Sequence, residues 1–225
     1  MFRAVFMDID GTMLDSNLAH ARAWSEALQA HGHHVATVRI LPLIGMGGDK
    51  LLAQVTGISA DSDEGQAIER DSDQVFNERY LSGLRPFPRV RELLERLKQR
   101  DVLLGVATSA GRDDAHRLLR QTGVEDLFDC AATSDDVQSS KPDPDIVEAA
   151  LAKCGRPADQ VVLIGDTPYD VESARRSHVA CIAVRCGGWS SAELGAAIAV
   201  FDDPAAILES LDEQPLCSWF RPRAA

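Results

Sequence analysis

From Arg85 onward, amphipathic helical segments alternate with short apolar runs, and this alternation limits the possible folds. Strands joined by helical crossovers pair in parallel, and a parallel sheet needs helices on both faces. The apolar run 4–7 joins the same sheet, so the sequence predicts an α/β protein with a doubly wound parallel sheet. The predicted strands are 4–7, 102–107, a short one near 130, 161–164, 181–184 and 199–201. The predicted helices of this part are 89–99, 113–121, 144–153, 171–176 and 205–211.

Residues 17–84 have a different pattern, because their apolar residues recur at helical spacing without strand-like runs between them. We therefore predict an all-helical domain of residues 16–84. It is inserted into a sheet domain made of residues 1–15 and 85–225. The end of the sheet domain, residues 212–225, is expected to be an irregular tail.

Charge, hydropathy and cysteine content limit the partners and the cellular compartment that we expect for this protein. The formal net charge is -12, which argues against nucleic acid or an anionic membrane surface, because both need a basic face. The sequence has no apolar run of membrane-spanning length and no signal-peptide pattern at its start. The five cysteines are odd in number and form no CxxC pair, so we expect reduced thiols in a cytoplasmic protein. Protein partners stay unknown.

The first strand leads into the motif DIDGT, residues 8–12. Asp8 and Asp10 stand at alternate positions of extended chain, so both carboxylates can face one site at the carboxyl end of the strand. Gly11 allows a tight turn and leaves room for a ligand near main-chain N–H groups. For this motif alone, a strand that ends in an acidic turn is the simpler alternative.

Further polar side chains follow later strands. Thr108 and Ser109 offer hydroxyl groups where the chain turns into a helix, although the same residues are common helix caps. Lys141 lies in the polar loop SSKPDPD, where a lone lysine is usually solvated. Asp166 and Asp170, in GDTPYD, also suit a helix N-terminus. Because ligands of doubly wound sheets bind beyond the carboxyl ends of the strands, we expect these side chains to share one site.

In this order, the motifs resemble those of the haloacid dehalogenase-like superfamily of phosphohydrolases. Its four motifs correspond to DIDGT, Thr108, Lys141 and GDTPYD, and the resemblance spans Met1 to about Val200. The helical insertion resembles the cap of the phosphoglycolate phosphatase-like and β-phosphoglucomutase-like branch. The resemblance implies a Rossmann-like catalytic core with a helical cap, and hydrolysis of a phosphomonoester of a small phosphorylated metabolite.

The resemblance also implies roles for individual residues. Asp8 would be the nucleophile that forms an aspartyl phosphate, Asp10 the acid/base, and Lys141 a further catalytic residue. The implied phosphate-binding residues are Gly11, Thr12, Thr108, Ser109 and Lys141. The implied ligands of a Mg²⁺ cofactor are Asp8, Asp10, Asp166 and Asp170.

The chemistry of these side chains supports the same roles. Four carboxylates in one site repel one another, and a small hard dication surrounded by oxygen atoms relieves the repulsion. We expect Lys141 to keep Asp8 ionised, and crowding by negative charge to raise the pKa of Asp10, as a proton donor needs. This chemistry needs no redox cofactor.

Two alternatives to a phosphatase stay open. The sequence HARAW, residues 20–24, closely resembles the first cap helix of β-phosphoglucomutase. His20 would there help to gate the acid/base, or else lie on a solvated helix face. The fourth motif, GDTPYD, lacks the acidic pair of the mutases and favours a hydrolase. The other alternative is a non-catalytic binding module, although every charged motif residue is present.

The substrate is expected to be selected by the cap, which contains few basic residues. Lys50, after the glycine-rich sequence IGMGGD, is the first candidate for contact with a second anionic group. The simpler alternative is a glycine turn followed by a solvated lysine. The physiological substrate and the oligomeric state cannot be derived from these patterns.

Overall fold

The computed structural model describes residues 1–220, and the chain divides into two compact units. One unit consists of Met1–Asp15 and the chain from Arg85 onward. The other consists of Ser16–Leu84. Residues 221–225 of the predicted tail lie outside the described residues.

The first unit is built on a six-stranded parallel sheet. Its strands are β1 (Ala4–Met7), β2 (Leu103–Ala107), β3 (Cys130–Ala132), β4 (Val161–Gly165), β5 (Ala180–Val184) and β6 (Ala199–Phe201). Their order in the sheet is β3-β2-β1-β4-β5-β6. The chain therefore changes direction of winding beside β1, and ligands of such sheets bind at that switch point. The predicted doubly wound α/β fold is confirmed.

The described chain contains ten α-helices. They are α1 (Asn17–Ala30), α2 (Thr37–Ile40), α3 (Gly48–Thr56), α4 (Asp63–Val75), α5 (Val90–Lys98), α6 (Arg112–Thr122), α7 (Asp145–Cys154), α8 (Pro168–Arg176), α9 (Pro204–Ser210) and α10 (Leu216–Trp219). Among residues 1–220, none of these helices is long and apolar enough to span a bilayer.

Continuous burial explains why the central strands lack alternating polar residues. Every residue of β1 and β4 is buried, as expected for parallel strands covered on both faces. The core cluster of this unit joins Phe6 of β1 and Leu163 of β4 to Ile146 and Val147 of α7 and Ala174 of α8. The buried sheet thus provides a rigid base for the loops at the carboxyl ends of its strands.

The second unit is helical and has its own core. Trp24 and Leu28 of α1 pack with Ile40, Leu52 and Ile68, which are all buried. After α4, the chain continues in a π-helical turn, Phe76–Tyr80. The amphipathic spacing of the sequence thus corresponds to a closed cluster of apolar side chains within this unit.

The expectation of reduced cysteines is wrong for one pair. Cys130 on β3 and Cys154 at the end of α7 form a disulfide, with their Cα atoms 5.7 Å apart. The two cysteines are 24 residues apart and match no spacing motif, so only the packing of α7 beside β3 brings them together. The thiols of Cys181, Cys186 and Cys217 are free.

The prediction of an irregular tail is wrong for part of residues 212–220. This segment contains α10, and the Phe220 side chain after it is fully buried. The rings of Trp219 and Phe220 lie 6.0 and 5.9 Å from the ring of Phe2. The Phe2 N–H donates to the Trp219 carbonyl at 2.8 Å. The end of the described chain is therefore packed against the beginning of the sheet domain.

Candidate active site

The central strand places Asp8 at the switch point of the sheet. Asp8 directly follows β1, and its backbone N–H donates to the Ile164 carbonyl of β4 at 2.9 Å. The residue is only 4% exposed. The backbone pairing of the sheet therefore fixes where this carboxylate lies.

A tight turn follows Asp8. The N–H groups of Met13 and Leu14 donate to the Ile9 carbonyl at 2.8 and 3.0 Å, and the Gly11 N–H donates to the Leu14 carbonyl at 2.9 Å. Gly11 has a φ of +72°, which favours glycine. Asp10 lies on this turn and is half-buried. The Gly11 N–H is used within the turn, so phosphate binding by Gly11 stays a prediction.

Lys141 is fully buried and links two of the predicted site residues. Its Nζ lies 2.7 Å from Asp8 Oδ1 and 2.7 Å from Asp170 Oδ1. A buried ammonium group is tolerated only when it is paired. The alternative of a solvated loop lysine is therefore wrong for Lys141.

The N-terminus of α8 orients Asp170. The Thr167 N–H and Oγ1 donate to Asp170 Oδ2 at 3.0 and 2.6 Å, and the Asp170 N–H donates back to Thr167 Oγ1 at 3.1 Å. This reciprocal capping box satisfies backbone donors at the start of the helix. Asp170 thus has the helix-capping role of the simpler alternative and also contacts Lys141. Thr167, which the sequence analysis did not single out, fixes its position.

Asp166, at the end of β4, is fully buried. Its Oδ1 accepts a hydrogen bond from Thr12 Oγ1 at 3.1 Å. Thr12 thereby joins the turn after β1 to the turn after β4. Its predicted contact with phosphate stays a prediction.

Three buried carboxylates come together at this end of the sheet. Within residues 1–220, Asp8, Asp166 and Asp170 each offer an oxygen atom within 4.8 Å of the others. Asp10 is not part of this group. The single Lys141 ammonium cannot balance three carboxylates, and an anionic set of oxygen donors is the chemistry that fits a hard divalent cation such as Mg²⁺.

Burial and neighbouring charge shift the pKa values at this site. Burial raises the pKa of Asp8 to about 7, Lys141 opposes this shift, and Asp170 and Asp10 add to it. Burial lowers the pKa of Lys141, but the carboxylates of Asp170 and Asp8 outweigh burial and raise it overall. Lys141 therefore stays protonated. Desolvation of Asp8 is a stronger effect than the sequence analysis assumed.

The register of the sheet places Thr108 at the same edge as Asp8. Met7 pairs with Val106 of β2, so the residues that follow these strands emerge side by side. Thr108 is buried, its N–H donates to the Ala132 carbonyl at 3.1 Å, and its Oγ1 accepts from the Ala110 N–H at 3.1 Å. The Thr108 hydroxyl thus orders the turn. Phosphate binding by Thr108 and the half-buried Ser109 stays a prediction.

The two candidates from the cap lie in the helical unit. His20 of α1 stacks on Phe76, with ring centroids 3.8 Å apart and planes inclined by 6°. Lys50 is half-buried in the first turn of α3. His20 is therefore not a fully solvated histidine. Substrate contact by either residue stays a prediction.

Besides Thr167, the loop after β5 is a part of the site that could not be recognised from the sequence. Cys186 Sγ donates to the Gly11 carbonyl at 3.2 Å, and Gly187 lies directly against Asp166. The available signal was the glycine pair in RCGG, which follows an apolar run at the same edge of the sheet as the other motifs. Glycines and a lone cysteine carry no charge pattern that indicates a site.

Comparison with known proteins supports this geometry. The sequence profile of the haloacid dehalogenase-like hydrolases matches residues 5–184. The chain is 30% identical over 177 residues to pyrophosphatase PpaX of Bacillus velezensis. This match covers 77% of this chain and 79% of the relative. It is 28% identical over 220 residues to the N-acetylmuramic acid 6-phosphate phosphatase of Pseudomonas aeruginosa, covering 96% of each.

A solved structure has a similar fold. The crystal structure of a hydrolase from Pseudomonas syringae matches with a TM-score of 0.87 and 33% sequence identity. The match covers 94% of this chain and 98% of that one. The sheet order defines a doubly wound α/β protein with three buried carboxylates at the carboxyl ends of its strands. The chain belongs to the haloacid dehalogenase-like hydrolase family, and the predicted class of enzyme is confirmed.

Proposed function

We propose that this protein is a Mg²⁺-dependent phosphatase that hydrolyses a phosphomonoester of a small metabolite through an aspartyl phosphate on Asp8. The observation that carries the proposal is the contact of Lys141 Nζ with both Asp8 and Asp170, at 2.7 Å each. This contact joins the first, third and fourth sequence motifs in one buried site. Two relatives, named as a pyrophosphatase and an N-acetylmuramic acid 6-phosphate phosphatase, support the same chemistry.

The metal would be held by Asp8, Asp166 and Asp170, which each offer a carboxylate oxygen to the same site. Oδ1 of Asp170 lies 2.7 Å from Lys141 Nζ but is a buried oxygen that accepts no hydrogen bond, so it can also serve a cation. The sequence-based assignment of Asp10 as a further ligand is kept as part of the proposal. When bound, Mg²⁺ neutralises phosphate charge and reduces the repulsion between the carboxylates.

In the first step, a carboxylate oxygen of Asp8 bonds to phosphorus, and the bond from phosphorus to the alcohol oxygen breaks. Asp10 gives its proton to the departing alcohol. In the second step, Asp10 takes a proton from water, whose oxygen attacks phosphorus and releases inorganic phosphate and the free Asp8 carboxylate. The reaction is thus divided into two displacements at phosphorus, and Asp8 and Asp10 take part in each of them.

Lys141 has two roles in this scheme. Its ammonium group orients the Asp8 carboxylate and stabilises its anionic form, which is the nucleophile. With Thr108 and Ser109, it would also stabilise the oxygens of the transferring phosphoryl group. The helical unit, residues 16–84, would act as the cap that closes over the substrate, with His20 and Lys50 as contact candidates.

The substrate class is a small phosphorylated metabolite, with phosphoglycolate-like compounds as the first expectation. The substrates named for the two relatives differ greatly in size, so the screen must be broad. A panel of phosphorylated metabolites and pyrophosphate, with free phosphate as the readout and Asp8→Asn as the blank, tests the proposal. Release of phosphate by the wild type alone supports it, and equal release by Asp8→Asn contradicts it. A cytoplasmic location stays part of the proposal.

A phosphosugar mutase is the alternative, and the HARAW segment with His20 favours it. In a mutase, the phosphoryl group passes from Asp8 to a sugar hydroxyl instead of water. Incubation with β-glucose 1-phosphate and a bisphosphate primer separates the two reactions. Isomer formation without free phosphate would contradict the hydrolase proposal.

A further inference from the structure

The loop after β5, residues 185–189, contacts the turns that carry the first and fourth sequence motifs; we call it the β5 loop. Cys186 Sγ donates to the Gly11 carbonyl at 3.2 Å. The rings of Trp189 and Tyr169 form a T-shaped contact, with centroids 6.2 Å apart and planes at 85°. The β5 loop therefore touches the turns after β1 and β4, although it holds none of the predicted site residues.

Gly187 is the residue of the β5 loop that lies against Asp166. A Cβ atom at position 187 would lie 1.7 Å from Asp166 Oδ2, 2.4 Å from Cγ and 2.6 Å from Cβ. Rotation of the Asp166 side chain moves its oxygens but not its Cβ, so a change of rotamer cannot remove this overlap. Gly187 does not have a positive φ. Glycine is therefore required at position 187 because there is no room for a side chain, and not because of the backbone conformation.

The backbone of the β5 loop is held in place by hydrogen bonds to β6 and within the loop. The Arg185 N–H donates to the Phe201 carbonyl of β6 at 2.9 Å, and the Gly188 N–H donates to the Arg185 carbonyl at 2.9 Å. A side chain at position 187 must therefore displace either this bonded loop or Asp166. The overlap falls first on Asp166 Oδ2, while the other oxygen, Oδ1, is held by the 3.1 Å hydrogen bond from Thr12.

We propose that Gly187 is a positioning residue, whose missing side chain sets the place of the Asp166 carboxylate between the β5 loop and Thr12. The oxygen of Asp166 that comes within 4.8 Å of Asp8 and Asp170 depends on this placement. The inference that Gly187 also supports metal binding rests on the proposed function. The inference that Gly187 sets the position of Asp166 does not rest on it.

Crystal structures of the metal-free wild type and Gly187→Ala test the placement directly. We expect the variant to lose the hydrogen bond from Thr12 Oγ1 to Asp166 Oδ1, with a separation beyond about 3.5 Å. A variant that keeps this bond and displaces only the β5 loop overturns the inference. Gly83→Ala is the control, because a Cβ there meets nothing within 4 Å, and its Asp166 should not move.

Calorimetric titration with Mg²⁺ gives a second readout that needs no turnover. We expect Gly187→Ala to bind Mg²⁺ at least about tenfold more weakly than the wild type and Gly83→Ala, as when a supporting residue of a metal ligand is lost. Equal affinity in the three proteins overturns the link to metal binding. A wild type that binds no Mg²⁺ contradicts the proposed metal dependence, while the crystal structures still decide the role of Gly187.

If Gly187→Ala folds too poorly to crystallise, a double-mutant cycle measured by urea denaturation tests the same overlap. Asp166→Gly removes the three atoms nearest to a Cβ at position 187, which all belong to the Asp166 side chain. We therefore expect Gly187→Ala to lower the urea midpoint strongly in the wild type and by less than half as much in the Asp166→Gly background. An equal drop in both backgrounds shows that the overlap with Asp166 is not the cause and overturns the inference.

Discussion

The Nζ atom of Lys141 lies 2.7 Å from Asp8 Oδ1, and both side chains are buried at the carboxyl end of the central strand. A buried pair of this kind gains Coulomb energy but loses hydration, so its net contribution to stability is small. Removing one partner is far more costly, because the other charge is then buried alone. The pair thus links the integrity of the fold to the chemistry proposed for Asp8.

Lys141→Met should destabilise the protein and remove its activity. The carboxylates of Asp8 and Asp170 would lose their shared cation, and we expect a loss of about 3–5 kcal/mol in the free energy of unfolding. Urea denaturation at pH 7.5 measures it. Lys98→Met is the control, since the half-buried Lys98 pairs with the exposed Asp129 and also donates to the Leu127 carbonyl, and it should cost about 1 kcal/mol. Equal losses in the two variants would contradict the account of the pair.

Removal of divalent cations should stop phosphate release. Three buried carboxylates face one ammonium group, so the site needs further positive charge before it accepts an anionic substrate. We expect no turnover in excess chelator and full recovery on addition of Mg²⁺. Thermal unfolding with and without Mg²⁺ provides the binding control, with a higher Tm when the ion is present. Full activity in chelator would be evidence against the metal.

Glu69 of α4 should make the helical unit less stable as the pH rises. Burial, with added repulsion from Asp73, Asp49 and Asp61, raises the pKa of Glu69 from 4.5 to about 7. Because the folded state binds the proton more tightly than the unfolded state, stability falls as the pH increases from about 4.5 to about 7. Above about pH 7, Glu69 is ionised in the folded protein, and the full loss of stability caused by its partly buried charge is present.

Glu69→Gln removes this penalty. The residue is only half-buried and lies beside Gly48 at the start of α3, where a helix N-terminus favours an anion. We therefore expect a gain of only about 1 kcal/mol at pH 8, which vanishes near pH 4.5. Unfolding curves at the two pH values measure the difference. The exposed Glu78→Gln is the control for a Glu→Gln change on the same unit, and a Glu69→Gln variant no more stable than wild type at pH 8 would refute the effect.

Phe220→Ala should show that the end of the described chain is part of the core. The side chain is fully buried, and the centroid of its ring lies 5.9 Å from the centroid of the Phe2 ring. We expect a loss of about 3–5 kcal/mol, as for other buried Phe→Ala changes. Thermal or urea unfolding measures it, with the exposed Glu213→Ala as the control. A loss as small as that of the control would mean that this segment is dispensable.

The sheet could be predicted from the sequence because each of its strands is a short apolar run between helical segments. The site could be predicted in outline, since Asp8, Thr108 and Asp166 each follow such a run. The burial of Lys141 could not, because nothing in SSKPDPD indicates that the loop folds inward over two carboxylates. The role of Gly187 was equally hidden, since a requirement for empty space is visible only beside the atoms that would collide.

The disulfide and the tail show the same limit. Cys130 and Cys154 carry no spacing signal, and the packing of α7 beside β3 alone joins them. The aromatic residues Trp219 and Phe220 were a usable signal for a packed end, but no periodicity over so short a segment identifies α10. Local patterns predicted elements, and contacts between distant segments had to come from the structure.

The most direct test of the account is the detection of a phosphoryl group on Asp8. The measurement is mass spectrometry of the wild type after rapid acid quench during turnover of a substrate found in the metabolite screen, with Asp8→Asn treated identically. The account predicts a phosphorylated peptide containing Asp8 in the wild type and none in the variant. Turnover without any phosphorylated peptide, or with the phosphoryl group on another residue, would contradict the proposed mechanism.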